Sequence, residues 1–158
     1  MPTEDKDDEL FERLAKRWPD LMEKADQQYF GVGAGWFNIV DTLCGVMSRR
    51  VAEARYELKY ALENEGNKYA MTIPAAEAAL ATAIEDLPVI QQIKEKFGGL
   101  RFYVNRGGDD VSNYISFAEQ MSYKTCEICG HPGERRNTGW VKTLCNHHHN
   151  ELLGRREG

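Results

Sequence analysis

Cys126-Glu127-Ile128-Cys129-Gly130-His131-Pro132-Gly133-Glu134-Arg135-Arg136-Asn137-Thr138-Gly139-Trp140-Val141-Lys142-Thr143-Leu144-Cys145-Asn146-His147-His148 holds two ligand pairs. Cys126 and Cys129 are two residues apart, fifteen residues follow, and Cys145 and His148 repeat the gap. Thiolates and an imidazole in two tight pairs suit tetrahedral zinc, because a two-residue gap lets one turn aim both side chains at one ion. Gly130 stands where such a knuckle needs a permissive backbone. Three adjacent histidines, His147 to His149, crowd the second pair. The spacing favours His148 as the fourth ligand, with His149 as its rival. Four such ligands close the shell and predict structural Zn2+, since a catalytic zinc keeps an open position.

The spacer has its own pattern. Residues 133–136 and 140–144 read as short strands about a turn at Asn137, Thr138 and Gly139. Cys145 opens a last helix with Leu152 and Leu153 inward. Knuckle, hairpin and ligand-bearing helix together resemble a treble-clef zinc finger, with Trp140 and Leu144 expected to cover the metal.

Working back from the finger, residues 89–104 alternate on either side of Phe97, Gly98 and Gly99. This predicts a hairpin around a Gly-Gly turn, with Leu100, Phe102 and Val104 on the core side. Asp109 or Asp110 is expected to cap a helix to about Met121, with Val111, Tyr114, Ile115, Ala118 and Met121 buried. Upstream, Trp36, Val40, Leu43, Met47, Val51, Ala54, Leu58 and Ala61 form one continuous helical stripe. A second helix should begin at Thr72, Ile73 and Pro74 and run through the alanines to Ile84. A first helix is expected over 8–18, after a frayed start over 1–7, with a further short helical turn in 19–28. The glycines at 31, 33 and 35 read as a flexible turn, because no Gly-Lys-Ser/Thr follows as in a phosphate loop. The fold class is therefore α+β: a helical body with a hairpin over 1–122, and a treble-clef-like zinc finger over 123–158.

The net charge is -5, but residues 1–93 hold 10 Lys+Arg against 17 Asp+Glu, while 94–158 hold 10 against 8. The basic half carries the finger. Lys94, Lys96 and Arg101 on the hairpin read either as a phosphate-contacting ridge or as the solvent side of an amphipathic hairpin. Arg135, Arg136 and Lys142 on the finger pose the same choice. No apolar run is long enough to span a membrane. Clustered cysteines favour a reducing cytoplasm over a disulfide framework, and lone Cys44 reads as a small buried thiol.

The set Ile93 to Tyr103, with Gly35-Trp36 upstream and the stretch from Gly139 to Cys145 downstream, resembles a group of uncharacterised small phage and prophage proteins with a C-terminal zinc finger. The resemblance covers roughly 35–48 and 89–149, leaving 50–85 particular to this chain. It implies a phage context in the bacterial cytoplasm, acting on host machinery or phage DNA, and zinc ligands at Cys126, Cys129, Cys145 and His148. It implies no activity. The expected function is a non-enzymatic interaction protein whose target is a host or phage protein. A nucleic-acid-binding module using the six basic residues is the alternative. A His-metal-finger nuclease is disfavoured, because it needs a histidine on the finger hairpin, and the four histidines are His131 and His147 to His149.

Overall fold

The computed structural model describes residues 4–137 and 139–157. Helix α1 (Glu4–Arg17) buries Leu10 and Leu14 against the core. Its start lies within the stretch expected to fray; residues 1–3 fall outside the described residues. Pro19 opens a single turn, α2 (Pro19–Met22), and a 3-10 turn over Gln27–Tyr29 leads into a two-residue strand, β1 (Phe30–Gly31). β1 carries no alternation and exists through its parallel pairing with the long hairpin.

Trp36 begins the central apolar stripe, but the stripe is not one helix. It divides into α3 (Phe37–Met47) and α4 (Arg49–Glu63), with Ser48 between them at φ -85 and ψ -1. The 3.6-residue spacing continues across the bend, so periodicity alone does not register it. α3 buries Val40, Leu43, Cys44 and Met47, whereas α4 buries only Val51 and Ala61. α4 instead pairs with α5 (Ile73–Glu85), whose Thr72 hydroxyl caps the Ala75 N–H, to form a two-helix arm.

Strands β2 (Ile90–Lys96) and β3 (Gly99–Val104) form the hairpin, and the sheet order is β1-β2-β3. Lys96 pairs with Gly99, so the turn residues are Phe97 and Gly98, at φ 53 and 79, and not the two glycines. Two positive-φ residues make a type I′ turn, which matches the twist of a hairpin. Gly99 is needed for another reason: a methyl group there would stand 2.4 Å from Tyr123 Cζ.

Helix α6 (Asp109–Ser122) covers the free edge of β3. Leu100 N–H donates to Ser122 Oγ (2.8 Å) and Phe102 N–H to a Glu119 carboxylate oxygen (3.1 Å), so an edge that would invite pairing is closed by side chains. Gly108 holds the N-cap position, so Asp109 and Asp110 lie in the first turn instead of capping it. There their charge favours the positive end of the helix dipole. Tyr114 and Met121 are 39% and 40% exposed, not buried as their spacing suggests. β4 (Glu134–Asn137), β5 (Val141–Leu144) and α7 (Asn146–Glu157) complete the finger. Thr138, expected in the turn between its strands, lies outside the described residues. No helix among the described residues is long and apolar enough to cross a membrane.

Candidate metal centre

Each part of the finger delivers one piece of the site. The knuckle turns at Gly130, whose φ of 79 suits glycine and whose N–H donates to Cys126 O (2.9 Å). That turn carries Cys126 and Cys129. β5 ends at Leu144 and delivers Cys145, whose carbonyl accepts the His149 N–H (2.9 Å) and so starts α7. His148 follows in the first turn of that helix.

The ligand atoms of Cys126, Cys129, Cys145 and His148 all lie within 4.8 Å of one another, and the four could hold a metal ion. Cys129 Sγ is 3.9 Å from Cys145 Sγ, and His148 Nδ1 is 3.3 Å from Cys145 Sγ and 3.5 Å from Cys126 Sγ. Metal–sulfur bonds of about 2.3 Å and a metal–nitrogen bond of about 2.0 Å at tetrahedral angles give edges of about 3.8 and 3.5 Å. The three separations quoted lie within about 0.2 Å of those edges. All cysteines are free.

Burial pushes the Cys126 thiol up, but backbone N–H groups of Cys145, Cys129 and Ile128 outweigh it and bring the group to about 7. Those donors stabilise the thiolate, which is the form that ligates. His148 turns Nε2 towards Glu151 (4.0 Å), a carboxylate placed to steady the ring with Nδ1 facing the thiols. His147, His148 and Glu151 form a second grouping, but it shares His148 with the first. The rival ligand His149 is outside the cluster, with its Nδ1 buried and without a hydrogen-bond partner. Leu144 is buried beside the site, whereas Trp140 is 67% exposed and provides no cover. On α7, Leu152 is half-buried and Leu153 is exposed.

The knuckle is built into the body. Trp36 Nε1 donates to Thr125 O (2.8 Å) and Gly35 N–H to Glu127 O (2.8 Å). A methyl group at Gly33 would stand 2.3 Å from Glu127 O. These glycines therefore permit close approach by a segment some ninety residues away, and do not serve as a flexible turn. Thr143 Oγ1 donates to Gly98 O (2.5 Å), tying β5 to the hairpin tip. Glu127 is buried; burial raises its carboxyl pKa and the Lys142 ammonium 3.4 Å away opposes the shift.

The six basic candidates separate into two groups. Lys142 is engaged with Glu127, and Arg136 with Asn146 Oδ1 (2.7 Å), Leu144 O and Glu134. Lys94, Lys96, Arg101 and Arg135 instead stand over aromatic rings. The spacing of the sequence did not disclose a further feature, an apolar groove of about 320 Å³ between α3 and α6. Its signal was present in the excess of apolar residues on α6, read as core. Compared with protein-family models, curated proteins and solved structures, the chain matches none.

Proposed function

We propose that this chain is a non-enzymatic zinc-binding interaction protein that receives an apolar helix of a partner protein between α3 and α6. Three thiolates and one imidazole at tetrahedral edge distances suit zinc, and their closed shell makes a structural ion. The observation that carries the binding role is the groove. Asn38, Ile39, Val46, Tyr114, Phe117 and Met121 are among its lining residues, none of which is charged, and Phe117 is 70% exposed. A groove between two helices, without charge and with exposed apolar walls, suits the apolar stripe of a third helix. Such a lining offers no cation to a phosphate. In the phage setting suggested by the sequence resemblance, the partner is a host or phage protein in the bacterial cytoplasm.

The test is a photo-reactive benzoylphenylalanine in place of Phe117, activated in bacteria producing the protein, with mapping of the joined peptide. The expected product joins this position to one partner protein through a segment with apolar residues at helical spacing. Cross-links only to a second copy, or none above an exposed control position such as Glu53, would contradict the reading.

A further inference from the structure

The solvent face of the long hairpin is a separate feature. Beyond the irregularity near Gln91, register places Gln92, Lys94 and Lys96 on the same face as Tyr103 and Arg101. Lys94 is directly opposite Arg101. Like charges at opposed positions destabilise a sheet, so this pair is a cost to the fold unless an anion joins it. Among the described residues, no carboxylate lies within ion-pair distance of Lys94, Lys96, Arg101 or Arg135. Glu119 does act on Arg101, but its carboxylate accepts the Phe102 N–H.

The same cations are interleaved with rings. Lys94 Nζ is 5.5 Å from the Tyr103 ring, which is 42% exposed. Arg101 and Arg135 stand 5.9 and 5.1 Å from the Tyr123 ring, so one tyrosine links the hairpin to the finger. Tyr123 also accepts a hydrogen bond from Arg101 Nη2 (3.0 Å), which fixes that guanidinium in place. The surface therefore presents ordered positive charge beside aromatic faces.

We infer that this hairpin face binds single-stranded nucleic acid, with Lys94, Lys96, Arg101 and Arg135 on phosphates and Tyr103 as a stacking platform. Phosphates answer the unpaired cations, and unpaired bases supply flat partners for a ring. A duplex keeps its bases stacked on one another and offers the tyrosine nothing. The Asp7 carboxylate borders this face: it stands 4.0 Å from where a methyl group on Gly31, the β1 partner of Lys94, would lie, yet outside ion-pair distance of Lys94. The inference is independent of the α3–α6 groove.

The experiment uses full-length, zinc-loaded protein and two labelled probes, an oligothymidylate and a duplex of equal length, followed by fluorescence anisotropy across a salt series. The single strand should bind more tightly than the duplex. Its log affinity should fall with log salt at a slope of about -3, from four phosphate contacts at about 0.7 each. Lys94→Glu with Arg101→Glu should weaken binding at least tenfold, while Phe117→Asp in the groove leaves it unchanged. If the double variant loses its zinc or its fold, Tyr103→Ala replaces it and should weaken binding several-fold. No binding at low salt, a flat salt response, equal or tighter duplex binding, or undiminished affinity in the folded hairpin variant would overturn the inference.

Discussion

Gly35 and Cys126 lie back to back: a methyl group on Gly35 would stand 2.1 Å from the Cys126 carbonyl oxygen and 2.6 Å from the Gly130 nitrogen. The obstacles are backbone atoms of the metal knuckle, which cannot rotate away as a side chain could. Gly35→Ala should therefore destabilise the protein by roughly 1–3 kcal/mol and weaken metal retention along with it. Urea unfolding and a chelator competition check both. Gly154→Ala, where nothing lies within 4 Å, is the matched control and should not lower stability.

Ser122 is fully buried and its hydroxyl accepts the Leu100 N–H while donating to Glu119 O (2.6 Å). Ser122→Ala leaves a buried edge-strand donor without a partner. The expected loss is about 1–3 kcal/mol, accompanied by faster hydrogen exchange at the Leu100 amide.

Phe97 holds a left-handed backbone, φ 53, with its ring 62% exposed. A bulky residue there is strained, whereas Asn-Gly is favoured for a type I′ turn. Phe97→Asn should stabilise the chain by about 1 kcal/mol, read as a higher urea midpoint at unchanged slope.

Cys44 supplies the pH prediction. Burial, with the Asp41 charge adding to it, pushes this thiol from 9.0 up to about 12, against a smaller opposing effect of its own backbone. Between those values the unfolded chain has released the proton and the folded chain keeps it, so stability falls as pH rises. The stability difference between wild type and Cys44→Ala should be constant below about pH 8. It should shrink above about pH 9, by up to about 1.4 kcal/mol per pH unit. In the folded protein, Cys44 should also resist thiol reagents that modify it in urea.

What the sequence discloses and what it conceals follows from the range of each interaction. The ligands are legible because a two-residue gap is local geometry, and the hairpin is legible because Leu100, Phe102 and Val104 alternate with Arg101 and Tyr103. Gly33 and Gly35 are not legible, since their reason is a backbone segment at Glu127 that only tertiary structure brings near. The bend at Ser48 escapes because apolar spacing persists through it. Tyr114 and Met121 obey helical periodicity yet line an open groove, because period shows which residues share a face and not whether anything covers it.

One zinc ion held by three sulfur atoms and one imidazole nitrogen is the claim on which the finger depends. Zinc-edge X-ray absorption on protein purified without added metal tests it directly. The spectrum should show one zinc per chain, with three sulfur neighbours at about 2.3 Å and one nitrogen at about 2.0 Å, and Cys126→Ser should lose the metal. A chain without stoichiometric zinc, a shell containing an oxygen from water, or a two-sulfur, two-nitrogen shell would contradict it.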